Sequence, residues 1–206
     1  MEQQEIGALA QEVMGRIFIE LEASGRHVHV TKEQALSLFG HDLTPERPLS
    51  QPGQFLARER VSLLGPKGKF HNVAVLGPAR KEAQVEISLS DGRVLGITPP
   101  IRQSGDVTET PGILISAEHG TVTISQGVIA AQRHLHLTPE AAGRFGVKDK
   151  QVVRLQTFTN RPTVFGNVLV RVSPDYADRA HLDYDEANAC GFQKGDLGRI
   201  LLCERC

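Results

Sequence analysis

Arg26-His27-Val28-His29-Val30-Thr31 recurs as Arg133-His134-Leu135-His136-Leu137-Thr138, 107 residues further along the chain. Each copy runs on into a short helix-like stretch closed by Phe-Gly, at Phe39-Gly40 and Phe145-Gly146. A second pair of segments, Phe70-His71-Asn72-Val73-Ala74-Val75 and Phe165-Gly166-Asn167-Val168-Leu169-Val170, lies at an offset of 95. Self-similarity at a fixed spacing marks a duplicated unit. The chain is therefore read as two related halves, the second about a dozen residues tighter between these landmarks. Carried forward, the offset of 95 sets Glu86 opposite His181, so each half offers His-x-His and one further potential metal ligand.

Outward from these strands the pattern is mainly β. Val28/Val30, Val61/Leu63, Val73/Val75 and Val85/Ile87 alternate with polar neighbours, and the second half repeats this at Val152/Arg154, Val168/Val170 and Leu197/Ile200. Turn residues cluster between them, as in Gly65-Pro66-Lys67-Gly68 and Ser90-Asp91-Gly92. Thr31 with Gln34 spells a capping box, and Thr138 precedes Pro139, so each His-x-His strand is expected to feed a brief helix. The expected fold is two tandem, internally related small β-barrels with short helices, preceded by an N-terminal amphipathic helix. Residues 1–19 form that helix, 20–110 the first barrel half and 111–206 the second, with a Pro- and Gly-rich crossover over about 98–127. In the helix, Ile6, Leu9, Ala10, Val13, Met14 and Ile17 make one apolar stripe. Docking on its own domain and service as an exposed adaptor or targeting helix both fit that stripe.

Composition bounds the function. With 206 residues, 40% hydrophobic and 23% charged, the chain can bury a core and does not read as disordered. A net charge of -1 lacks the basic excess of a nucleic-acid binder. No stretch reaches the ~18 apolar residues of a membrane span, and Glu2 and Glu5 stand where a secretory signal carries positive charge, so a cytoplasmic setting is expected. Cys190, Cys203 and Cys206 all lie within the last seventeen residues and cannot frame the whole chain with disulfides.

Residues two apart on a strand share a face. Val28 and Val30 then point into a core while His27 and His29 converge, and His134 and His136 repeat the arrangement. Imidazoles with one carboxylate suit zinc among divalent ions, although nickel, cobalt or iron fit the donor set too. Five histidines and Glu86 exceed one tetrahedral ion. Two neighbouring ions at the junction of the halves, with Glu86 as a candidate bridge, is the simpler count, and such sites clamp the groups of a displacement. His41, His71 and His119 have no ligand-like spacing.

Arg26-His27-Val28-His29, Gly77-Pro78-Ala79-Arg80 with Gln84-Val85-Glu86, Arg133-His134-Leu135-His136, and His181-Leu182-Asp183-Tyr184-Asp185-Glu186-Ala187-Asn188-Ala189 together resemble the phosphate propanoyltransferase family, the PduL-type phosphotransacylases. The resemblance runs in order from about Glu22 to Leu201. It implies tandem β-barrels, two zinc ions per chain, and acyl transfer between coenzyme A and phosphate. By resemblance His27, His29, Glu86, His134, His136 and His181 are the metal ligands, Arg80 holds phosphate as the catalytic cation, and Ala23, Ser24, Gly25, Lys67, Ala74, Leu76 and Asn188 line the coenzyme A site. Ala74 stands where the family usually has a basic residue, and Ala23-Ser24-Gly25 where a Val-Ser-Asn-like run is common. The family also implies work inside bacterial microcompartments, with the N-terminal helix as a packing tag toward shell or cargo proteins.

The chemistry implied is direct attack of phosphate on an acyl-CoA thioester. Cys190 reads as a small buried residue, and Cys203-Glu204-Arg205-Cys206 as a tail. A dinuclear zinc hydrolase of thioesters, and a non-catalytic module tied together by zinc, are the competing readings. Acyl-chain preference, direction and homo-oligomer formation stay open at this stage.

Overall fold

The computed structural model describes residue 7 and residues 13–202. It is mainly β, with short helices, in two compact units. One is Gly25–Gln132 with Asp183–Asp185; the other is Arg133–Leu182 with the chain up to Ser24 and from Glu186 onward.

In the first unit, β2 (His27–His29) leads into α1 (Lys32–Phe39), followed by β3 (Pro45–Pro48), β4 (Phe55–Leu64), β5 (Lys69–Gly77), β6 (Gln84–Glu86) and α2 (Leu89–Leu95). Then come β7 (Ile101–Arg102), β8 (Ile113–Ser116), β9 (Thr121–Ile124) and β10 (Val128–Ala131). They form one curled nine-stranded sheet in the order β7-β10-β6-β2-β5-β4-β8-β9, with β3 beside β4. The stretch expected as a crossover thus carries sheet: Ile113, Ile115 and Ile124 are buried, and β8 pairs with both β4 and β9. Its prolines and glycines punctuate strands that are themselves only two to four residues long. Pro45 and Pro48 bound β3, where a missing N–H costs a sheet margin little.

The second unit closes on itself. Its strands are β1 (Ile19–Ser24), β11 (His134–Leu137), β12 (Val152–Phe158), β13 (Val164–Val172), β14 (Arg179–Asp183) and β15 (Leu197–Leu201), with α3 (Pro139–Phe145) and α4 (Tyr184–Cys190). The barrel order is β1-β14-β11-β13-β12-β15, and β1 reaches it by pairing Ile19 with Gly198. Closure removes sheet edges.

The duplication holds in register. β2 lies parallel to β5 and antiparallel to β6, with Val28 beside Val75 and His27 opposite Glu86. β11 lies parallel to β13 and antiparallel to β14, with Leu135 beside Val170 and His134 opposite His181. Asn72 and Asn167 share a left-handed φ of 56° and 54°, a conformation that asparagine tolerates. Thr31 caps α1 with the full box and Thr138 caps α3, each helix ending on a left-handed glycine, Gly40 or Gly146. Val28, Val30, Leu135 and Leu137 are fully buried, so the apolar residues between the histidines anchor each strand in its own core.

Of the expected N-terminal helix, Ile6, Leu9 and Ala10 lie outside the described residues. Residues 13–17 are helical, and Val13, Met14 and Ile17 are exposed at 47%, 43% and 40%. The chain is extended again by Ile19. No described helix is long and apolar enough to cross a membrane.

Two helical glycines give a test of packing against propensity. A Cβ on Gly143 in α3 would meet nothing within 4 Å, whereas on Gly92 in α2 it would fall 2.6 Å from the Ile97 carbonyl oxygen. Gly143→Ala is expected to stabilise by about 0.5–1 kcal/mol. Gly92→Ala is expected to cost about 1–3 kcal/mol, because backbone must move. Denaturant unfolding of both variants checks the opposite signs.

Candidate functional site

Strand periodicity brings the six expected ligands together in two triads, each drawn wholly from one unit. In the first, His27 and His29 sit on β2 and Glu86 on the neighbouring β6; in the second, His134 and His136 sit on β11 and His181 on β14. Within each triad one ligand atom per residue lies within 4.8 Å of the others. His27 and His29 are 5% and 2% exposed and Glu86 8%. Their imidazole centroids are 5.0 Å apart and nearly perpendicular.

Backbone carbonyls orient the first pair. His27 Nδ1 donates to Gly25 O at 2.8 Å and His29 Nδ1 to Leu76 O at 3.2 Å, which leaves each Nε2 lone pair for the site. His27 Nε2 lies 3.6 Å from Glu86 Oε2. Burial lowers the pKa of His27, but the charge and hydrogen bond of Glu86 outweigh it and the net direction is upward. His29 is held well below the usual histidine range by burial, with the charges of His27 and Arg80 adding to it. In the second triad His134 stacks on His181 at 4.9 Å, His136 meets both, and the Tyr176 ring rests 4.1 Å from His136.

Arg80 stands in the turn between β5 and β6, its backbone N–H on Val30 O at 2.9 Å. Its guanidinium donates to Ser104 Oγ at 3.2 Å, and its charge depresses the pKa of His27 and His29. Gln84, part of the Gln84-Val85-Glu86 motif but not among the expected site residues, completes a polar chain. Its amide donates to Glu86 Oε1 at 2.5 Å and to Ser104 Oγ at 2.8 Å, and its carbonyl accepts from Gly105 N at 2.6 Å. Gln84 precedes Glu86 by two residues and shares its face, so the period-two rule that paired the histidines also marks it. Tyr176 and Ser104 carry no such local signal.

The other expected residues divide. Gly25 and Leu76 lend their carbonyls to His27 and His29, and Ala74 is the register partner of His27. Gly25 has the Tyr184 ring where a side chain would start, 2.6 Å from the Cβ position. Lys67 lies in the β4–β5 turn with its stem against Gly96. Ala23 and Ser24 end β1, and Asn188 is exposed on α4. Cys190 is buried, its thiol directed at Ala187 O and pushed up in pKa by burial, which suits a packing residue. His41, His71 and His119 are exposed and outside both triads.

Two clustered imidazole triads, one completed by a carboxylate, on an internally duplicated β scaffold define a class of protein equipped to hold metal ions. The family model for phosphate propanoyltransferase matches residues 20–193. The chain is 49% identical over 202 residues to a phosphate propanoyltransferase of Listeria monocytogenes, covering 95% of each. It is 48% identical to that of Clostridioides difficile, covering 95% of this chain and 97% of the relative, and 49% identical to that of Thermotoga maritima, covering 86% of each. The chain belongs to the phosphate propanoyltransferase family, a family of acyltransferases.

The polar chain predicts a structural cost at Gln84. Gln84→Leu removes the donor to buried Glu86, while the Gly105 N–H, on an exposed residue, turns to water; a buried acceptor deprived of its donor costs about 1–3 kcal/mol. A loss of roughly 1–3 kcal/mol is expected in denaturant unfolding of the metal-free protein.

Proposed function

We propose that this chain transfers a short acyl group, propanoyl or acetyl, between coenzyme A and inorganic phosphate, with two zinc ions per chain, one on each triad. The observation that carries the reading is the cation linked to the ligands: the Arg80 guanidinium donates to Ser104 Oγ, which also accepts from the Gln84 amide that holds Glu86. A guanidinium fork matches two phosphate oxygens. Zinc, when bound, lowers the pKa of a thiol and polarises a carbonyl.

The chain's own groups prepare that chemistry. His27 and His29 are fixed in one tautomer, Glu86 is held by Gln84, and Arg80 binds and aims phosphate. A phosphate oxygen bonds to the acyl carbon as the carbon–sulfur bond breaks, and the coenzyme leaves as thiolate. Ala23, Ser24, Gly25, Lys67, Ala74, Leu76 and Asn188 are assigned to coenzyme A by the family resemblance; Gly25, Ala74 and Leu76 adjoin the first triad, which supports bringing the thiol end there. The exposed apolar residues Val13, Met14 and Ile17 support a role for the N-terminal segment as a packing tag in a microcompartment.

Thiol release from propanoyl-CoA is expected to require added phosphate; release without it would favour a water-activating hydrolase. Elemental analysis is expected to find two zinc equivalents, falling to one in His29→Ala and in His136→Ala. Arg80→Ala is expected to lower phosphate-dependent turnover by roughly 10²-fold or more with zinc content retained, and Arg80→Lys to restore only part of it. Kinetics with phosphate varied check this, and unchanged kinetics would remove Arg80 from the reaction.

Deleting residues 1–17 is expected to leave the enzyme folded and active while abolishing its incorporation into a shell. Phe18, which packs edge-on against Phe158 at 5.3 Å, is kept by that cut. Co-purification with shell assemblies, beside the assay, checks it.

A further inference from the structure

An arginine immediately precedes the first histidine in each half, and both arginines do the same thing. Arg26 grips Asp91 with two bonds, Nε to Oδ2 at 3.0 Å and NH2 to Oδ1 at 2.6 Å, while lying 4.0 Å over the Phe70 ring. Arg133 donates to Glu186 Oε1 at 2.5 Å and to Gly166 O at 2.7 Å, and lies 5.6 Å over Phe165. Asp91 is five residues beyond Glu86 and Glu186 five beyond His181. Phe70 and Phe165 are equivalent in the duplication.

The sequence separation within the two pairs is 65 and 53 residues, a difference equal to the dozen by which the second half is tighter. The chain between the partners has changed length, yet the arginine, the carboxylate and the aromatic ring keep their places relative to the ligands. Helix capping alone does not require this. Ser88 and Asp91 already complete a capping box on α2, and the arginine reaches that carboxylate from the position just before the strand that carries the histidines. Asp91 is 6% exposed while the Arg26 side chain is 34% exposed, so the fork is charge-assisted and directional but half in water, and it contributes orientation more than stability.

We propose that Arg26–Asp91 and Arg133–Glu186 are positioning pairs, each tying the strand that bears His-x-His to the helix that follows the third ligand, and so fixing the mouth of one metal triad. This rests on the metal reading above. Partners that hold ligands in place typically contribute 10–100-fold to metal affinity. The forked pair in the first half is the stiffer of the two, because Arg26 spends both bonds on one carboxylate.

The test is zinc affinity by chelator competition on the full chain, with melting of the metal-free protein beside it. Arg26→Lys and Asp91→Asn are expected to weaken one of the two zinc ions by about tenfold or more and leave the other unchanged. Arg133→Lys is expected to weaken the other ion alone. Metal-free melting should stay at the wild-type value in the lysine variants, which keep charge and stem but lose the fork. Should one variant fail to fold, the remaining two still report the selectivity. Wild-type protein that binds two zinc ions, with variants of unchanged affinity, would overturn the positioning pairs alone. Equal weakening of both ions, or a fall in metal-free melting that accounts for the loss, would make the pairs general structural contacts. Wild-type protein that takes up no zinc would overturn the metal reading and this proposal with it.

Discussion

The rest of the structure depends on how one three- or four-residue strand is flanked. In each half the His-x-His strand is hydrogen-bonded on one side to a parallel strand and on the other to an antiparallel strand, and the antiparallel neighbour delivers the third ligand in register. Strand alternation then separates two tasks: Val28, or Leu135, goes to the core while the histidines face the other way. A one-residue slip in either ladder would exchange those faces. The fully buried apolar residues make that slip expensive, so the cores hold the ligands in register.

The duplicated frame carries two unlike sites. The first triad has a carboxylate and the second only imidazoles, so the first would partly neutralise a bound cation and the second would not. The difference extends to the turns that feed the third ligands. Arg80 and Lys81 lie between β5 and β6, whereas Asp175 and Tyr176 occupy the equivalent places between β13 and β14. One turn brings a cation to its triad and the other an aromatic ring against His136. Divergence at these two turns sets a guanidinium beside one triad and a phenol ring beside the other.

The polar groups behind the first triad form a connected set. Arg80, Ser104, Gln84 and Glu86 share hydrogen bonds, and Ser104 comes from the stretch between β7 and β8 that carries strong turn signals and no motif. That stretch therefore contributes to the site as well as to the sheet. Gln84 and Glu86 are its buried members, whose polar groups stabilise only when satisfied, and the Gly105 N–H on Gln84 serves that end.

The sequence by itself determined the duplication, the mainly β class, the capped helices after each His-x-His, and all six members of the triads. These are legible because they depend on local periodicity and on a constant offset, and both survive in a single chain. Only the tertiary structure decided that residues 19–24 close the second barrel, that 113–116 and 121–124 extend the first sheet, and that Arg26 meets Asp91 and Arg133 meets Glu186. The β8–β9 hairpin aside, those pairings join residues 50 to 179 positions apart, from Leu64 and Leu114 to Ile19 and Gly198. Short strands broken by proline and glycine look like loops until a partner strand satisfies their backbone, and an arginine beside a histidine shows no partner until the fold places one there.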